Sequence, residues 1–141
     1  MSGYMLDSNV LIDLAREPDG RVALEFDKAG GDIAISVFVA GEIHHGILKN
    51  PSARSNERMK YLLDSLRIDP LDHPVERIYG AVRIDLERKR AAISPNDYWI
   101  VAHAIARDAV LVTGDKAIHT AAIADLKLED WRVAPAALGQ N

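Results

Sequence analysis

Short apolar runs alternate with longer stretches of helical spacing along the chain. Tyr4-Met5-Leu6 reads as a short buried strand, and Val10 to Ala15 then follows a helical period. Pro18 and Gly20 break that helix, and Val22 to Ala29 forms another. After Gly30-Gly31, Ile33-Ala34-Ile35 is a second strand. Ser36 caps a helix over Val37 to Leu48, with Val39, Ile43 and Ile47 as its apolar stripe. A helix from about Ala53 to Leu66 carries Met59, Leu62, Leu63 and Leu66 on one side.

The second half repeats the alternation. Ile68 to Leu71 is a strand interrupted by Pro70, and Val75 to Ala91 is the longest helix, with Ile78, Val82 and Leu86 spaced by four. Ser94 caps the next helix, Pro95 takes its first position, and Ile100, Ala104 and Ile105 are its buried side. Val110-Leu111-Val112 is the clearest strand. A short polar helix from Asp115 to about Ala124 and an edge strand over Leu128 to Val133 complete the pattern. Strands alternating with helices predict an α/β fold, a parallel sheet covered on both faces.

This order places acids at informative positions. Asp7 follows the first strand and Asp115 follows the Val110 strand, so both fall on the rim where open α/β sheets bind ligands. Glu42 and Asp97 lie on helices between them. Each acid also has a plain explanation: Asp7 and Asp115 as helix caps, Asp97 as the third residue of a capping box, Glu42 as a solvent-facing position beside an apolar stripe. Taken together, four carboxylates at one rim need cations to neutralise them, which points to a bound divalent metal. Asn9 and Thr113 are the small polar neighbours able to orient a carboxylate or a water.

Histidines offer a weaker centre. His44-His45 lacks zinc-helix spacing, since adjacent helical residues point in different directions. His103 reads as a half-buried packing residue, and His73 and His119 as surface. The aromatic residues are scattered along the sequence, which favours core filling over a base-stacking platform.

Composition narrows the classes. The 141 residues suit one domain spanning 1–141, with 48% hydrophobic and 27% charged residues typical of a globular protein. No apolar stretch approaches the roughly 20 residues that span a bilayer. No signal-peptide pattern opens the chain, and there is no cysteine, so a cytoplasmic location is expected and thiolate metal sites are excluded. The net charge of −4 gives no global attraction to nucleic acid, although bases cluster at Arg54, Arg58 and Lys60 and at Arg83, Arg88, Lys89 and Arg90.

Four segments in order then carry a resemblance: Met5-Leu6-Asp7-Ser8-Asn9-Val10; Ser36 through Glu42 to Gly46; Ile93-Ser94-Pro95-Asn96-Asp97 with Ile100-Val101-Ala102-His103-Ala104; and Leu111-Val112-Thr113-Gly114-Asp115. With these the chain resembles the PIN-domain family, and within it the VapC-type toxins of bacterial toxin–antitoxin pairs. The resemblance implies a PIN-like three-layer sandwich with a central, mainly parallel sheet of four to five strands. It implies a metal-dependent endoribonuclease whose acidic cluster is Asp7, Glu42, Asp97 and Asp115, supported by Asn9 and Thr113. Two departures are Arg90, where many relatives have glycine, and Lys116-Ala117-Ile118-His119, which lacks the usual Asn and Phe.

On this reading Mg²⁺, or Mn²⁺, binds between the carboxylates, and the RNA target is a single-stranded segment or a tRNA loop. A VapB-type antitoxin tail is expected across the acidic groove, on a shelf made by the Val10–Ala15 and Val37–Leu48 helices. A homodimer is expected through Met59, Leu62, Leu63 and Leu66 with the helix after Ser36, unless those leucines bury within the monomer. The alternatives are a phosphatase with Asp7 as nucleophile, weakened because Asn9 stands where a second aspartate is needed, and a non-enzymatic receiver-like protein-binding domain with Lys116 or Lys127 as its lysine.

Overall fold

The structure, a computed structural model, describes residues 3–133; the remaining positions of the expected 1–141 domain lie outside them. Five strands form one sheet in the order β3-β2-β1-β4-β5, where β1 is Tyr4–Leu6, β2 Ile33–Ser36, β3 Arg67–Asp69, β4 Val110–Val112 and β5 Lys127–Glu129. Every neighbouring pair is parallel. The helices are α1 (Ser8–Arg16), α2 (Arg21–Ala29), α3 (Val37–Lys49), α4 (Asn56–Ser65), α5 (Val75–Arg88), α6 (Pro95–Ala106) and α7 (Lys116–Thr120).

From β1 the chain steps outward to β2 and β3, then returns past β1 to β4. Right-handed crossovers therefore put α1 to α4 on one face and α5 to α7 on the other. The strands are short because both faces are covered and the inner ones carry continuous apolar side chains: Met5, Leu6, Ile35, Leu111 and Val112 are all at most 1% exposed. The direction reverses between β1 and β4, and there the helix following each strand departs to opposite faces. The resulting crevice opens at the C-terminal ends of these two strands. Pairing of Leu6 with Val112 brings Asp7 level with Thr113, and the Asp7 amide donates to the Val112 carbonyl at 2.9 Å.

Several boundaries differ from those the sequence predicts. The α4 helix begins at Asn56, not Ala53, because residues before it form a turn tied by the Asn56 side chain to the Asn50 carbonyl. Strand β3 ends at Asp69, since Pro70 has no amide to continue the ladder. The α7 helix stops at Thr120 rather than Ala124. Ala122 there takes φ 53°, and the Lys89 ammonium binds the carbonyls of Ala121 and Ala122. Strand β5 covers Lys127–Glu129, not Leu128–Val133: Asp130 accepts from the Arg132 amide and turns the chain, while Trp131 packs edge-on against Tyr4.

The proposed pairing leucines are also corrected. Met59 and Leu63 are buried within the chain, on the α4 helix that packs on α1, and Leu62 and Leu66 are half-buried. Nor are the aromatic residues scattered in space. Trp99 stacks on Tyr79 at a centroid distance of 3.9 Å and on Phe38 at 5.7 Å, with Tyr98 edge-on to Tyr79. Helical turns on α3, α5 and α6 bring together residues that lie far apart in the sequence.

Arg90, where the family resemblance leads one to expect glycine, takes a left-handed backbone conformation. The α5 helix ends in a Schellman motif, with the Ala91 amide donating to the Leu86 carbonyl and the Arg90 amide to that of Glu87. Arg90 is the left-handed residue of that motif, at φ 56°. Arg90→Gly removes the Cβ penalty and is expected to stabilise the protein by about 1 kcal/mol, a rise of about 3–5 °C in melting temperature. Calorimetry of the two proteins measures it, and an unchanged or lower melting temperature contradicts this account of the helix end.

Candidate functional site

The crevice is built outward from Thr113. Its hydroxyl donates to Asp7 Oδ2 at 2.8 Å and accepts from the Asp115 amide at 3.1 Å and from Asn9 Nδ2 at 3.2 Å. Asn9 Nδ2 also reaches Asp7 Oδ2, and its Oδ1 accepts from the Gly114 amide. The other Asp7 oxygen accepts from the Ser8 amide at 2.8 Å, so the residue does cap α1. Asp7 is thus 3% exposed with both oxygens held. Asp115 caps α7 through the Ala117 amide, as Ser94 caps α6 through that of Asp97. The capping roles foreseen for these acids are real, and they coexist with membership of the cluster.

Glu42 decides whether a cluster exists. It does not point into solvent: its Oε1 is buried and has no hydrogen-bond partner among the described residues. Burial, then the Asp7 and Asp97 carboxylates, push its pKa up against the Ser8 hydroxyl. Burial likewise raises Asp97, helped by Asp7 and Asp115. Asp7 is raised chiefly by burial, which outweighs the hydrogen bonds from Thr113, Ser8 and Asn9. The four acids therefore feel one another across a single crevice. They do not close on one point: among the described residues, no three carboxylate or imidazole groups come together at ligand distance.

These residues fit a hard divalent cation. The donors are all oxygen, and a buried carboxylate oxygen without a partner is the group a cation would satisfy. The histidines do not supply a centre. His44 and His45 are exposed, and His73 pairs with Glu76 at the surface. His103 is fully buried rather than half-buried. Its Nδ1 lies 2.8 Å from Ser36 Oγ, and burial pushes its pKa down, followed by Arg107. With the Ser36 oxygen already accepting from the Phe38 amide, its proton is free to point at Nδ1, which ties α3 to α6. His119 is half-buried, its Nε2 donating to the Thr113 carbonyl at 2.7 Å, so it buttresses the crevice instead of facing solvent. Neither imidazole role was visible in the sequence; a histidine inside an apolar helix pattern was the only signal.

Gly114 leaves room for a neighbour. A Cβ there would sit 2.5 Å from an Arg132 guanidinium nitrogen, and Arg132 is anchored to Asp13 at 2.6 Å. The receiver alternative has little to stand on: Lys127 pairs with Asp108 at 2.9 Å, and Lys116 is exposed. No helix among the described residues is long and apolar enough to cross a membrane.

Comparison with known proteins gives the family. Ribonuclease VapC2 of Rickettsia felis is 34% identical over 131 residues, covering 91% of this chain and 97% of that protein. The tRNA(fMet)-specific endonuclease VapC of Shigella flexneri is 27% identical over 135 residues, covering 93% and 99%. Among solved structures, VapBC2 from Rickettsia felis bound to a promoter DNA fragment superposes with a TM-score of 0.78 at 32% identity, covering 91% of this chain and 98% of that one. FitAB bound to a DNA fragment gives a TM-score of 0.80 at 25% identity, covering 95% and 99%. Residues 4–124 match the PIN domain, a range that takes in all four acid-bearing stretches, and with that match the chain belongs to the PIN-domain family.

Proposed function

We propose that this PIN domain is the toxin of a toxin–antitoxin pair and hydrolyses RNA phosphodiester bonds with a divalent cation held by Asp7, Glu42, Asp97 and Asp115. The observation that carries the reading is the buried, unpartnered Oε1 of Glu42 facing Asp7 and Asp97. The ribonuclease and endonuclease names of the relatives support the reaction class. The toxin–antitoxin complexes among the structural neighbours support the partner. Mg²⁺ is the expected ion, with Mn²⁺ as a substitute, because both favour oxygen ligands.

The bound cation would supply a more acidic water and would offset charge on the phosphate. The chain's residues do the rest. Asp7 is fixed by Thr113, Asn9 and Ser8, so its orientation costs no rearrangement when substrate arrives. Asp97 is set on the first turn of α6 by Ser94, and Asp115 by its own cap on α7. Glu42, with one oxygen free, is placed to orient the attacking water. An open crevice suits an unstacked strand, such as a single-stranded segment or a tRNA loop, better than a deep A-form groove.

The antitoxin tail is assigned to the groove beside the acids, where Ile12, Ile43, Ile47 and Met59 form an apolar floor running from Glu42. A homodimer would use the exposed Val37 with Phe38 and Trp99 near the start of α3, since Met59 and Leu63 are taken up by the core.

Cleavage of total RNA with Mg²⁺ or Mn²⁺, abolished by EDTA, tests the activity. Asp7→Asn and Asp97→Asn are each expected to lose at least about a hundredfold in rate. Near wild-type cleavage by both variants rules the acid cluster out of the mechanism.

Glu42→Gln separates charge from fold. A carboxylate with a raised folded-state pKa costs stability once ionised, so metal-free protein weakens as pH rises from about 4 through the raised value. The metal-free variant should therefore melt higher than metal-free wild type at neutral pH, with the gap shrinking toward pH 4. Mg²⁺ should raise the melting temperature of wild type and not that of the variant. A variant that melts lower without metal and responds to Mg²⁺ like wild type contradicts the assignment of Glu42.

If a basic antitoxin side chain enters the acidic crevice, Mg²⁺ and antitoxin compete. Antitoxin affinity should fall as Mg²⁺ rises at constant ionic strength, measured by calorimetry. An affinity independent of Mg²⁺ leaves only steric exclusion of RNA.

A further inference from the structure

Three guanidinium groups gather at the far end of the antitoxin groove. Arg16 from the last turn of α1, Arg54 from the turn before α4 and Arg58 from its first turn line one shallow cavity of about 450 Å³ with Ala15, Ala53 and Ser55. Among the described residues none of the three has a carboxylate within 4.0 Å, whereas Arg21, Arg67, Arg83, Arg107 and Arg132 are paired; Arg77, Arg88 and Arg90 are unpaired too, but none of them lines this cavity. Lys60, two residues beyond Arg58, pairs with Glu57. In a chain of net charge −4, three unpaired arginines at one place repel one another and gain nothing from the fold.

The cavity shares Arg16, Ala53 and Ser55 with the neighbouring groove, which Glu42 also lines. From Asp7 to Arg16 the α1 helix advances nine residues, about 14 Å, or on the order of four stacked nucleotides. A polyanion with one phosphate at the acids needs cations for the phosphates that follow, and the crevice itself supplies only negative charge.

We propose that Arg16, Arg54 and Arg58 form a phosphate-binding subsite that holds the RNA backbone several nucleotides from the bond cut at the acid crevice. This rests on the ribonuclease reading. The subsite gives a net-acidic protein its local attraction to RNA, and it fixes which side of the cut the strand occupies. Guanidinium forks suit phosphate oxygens in a way that lysines at these positions would only partly reproduce.

The test uses the full chain carrying Asp97→Asn to suppress cleavage, with Mg²⁺ present, and a fluorescent 20-nucleotide single-stranded RNA pool of random sequence. Affinity is measured across a range of NaCl concentrations. Arg16→Gln, Arg54→Gln and Arg58→Gln are each expected to weaken binding about fivefold and to lower the salt slope by about 0.7. Arg58→Lys should restore most of the slope, and Arg77→Gln on α5 should change neither quantity. A trinucleotide, too short to span the distance, should bind all variants alike.

Wild-type affinity and slope in all three glutamine variants overturn the subsite while leaving the ribonuclease reading intact. Absence of both RNA binding and RNA cleavage in the unsubstituted protein overturns the two together. If the variants bind RNA normally but lose affinity for an acidic synthetic peptide, the cluster serves a protein partner and the subsite is wrong. Circular dichroism of each exposed-arginine variant checks that the fold is retained.

Discussion

The bond from the Thr113 hydroxyl to Asp7 joins the two halves of the molecule. It exists because β1 and β4, distant in sequence, lie side by side in parallel register with Leu6 opposite Val112. Asp7 could not remain a buried acid without it, since burial alone favours the neutral form. The same hydroxyl receives the Asp115 amide and the Asn9 side chain, so one oxygen sets the geometry of three crevice residues. Everything else at the rim is arranged around that contact: α1 and α7 begin there, and α3 and α6 bring Glu42 and Asp97 toward it.

Charge is handled differently at the two ends of the groove. At the sheet end, acids are brought to one rim by the fold, with hydrogen bonds to Asp7 and Asp97 partly offsetting their burial. At the other end arginines meet without partners. A surface of this kind is poor for stability and good for recognition, because each unbalanced group is satisfied only by something that binds.

Much of the architecture was legible because strand and helix periods rarely conflict in this chain. Val110-Leu111-Val112 and Tyr4-Met5-Leu6 could only be buried strands, and the acids following them fell at the rim for topological reasons. The helix ends were not legible where long-range contacts decide them. Lys89 holds the carbonyls that end α7, and no local pattern announces it. Asp130 turns the chain out of β5 in the same unannounced way. His103 and His119 were misplaced because burial of an imidazole depends on the partner across the fold, Ser36 in one case and the Thr113 carbonyl in the other. Arg54 and Arg58 were visible as a basic cluster, but Arg16 joins them only through the packing of α1 on α4. The Arg83 to Arg90 cluster looked similar in sequence; there Arg83 and Lys89 are tied to Glu87 and Asp85, while Arg88 and Arg90 are not.

The 106 residues separating Asp7 from Thr113 also bear on how the protein is made. A ribosome adding about 5–20 residues per second takes roughly 5–20 s to pass from one to the other. During that interval the nascent chain holds an unsupported carboxylate, lacks Asp97 for most of the time, and has no β4 to complete the rim. Contacts this far apart in sequence are also slow to close. The crevice is therefore complete only once β4 has been made, whatever acts at it.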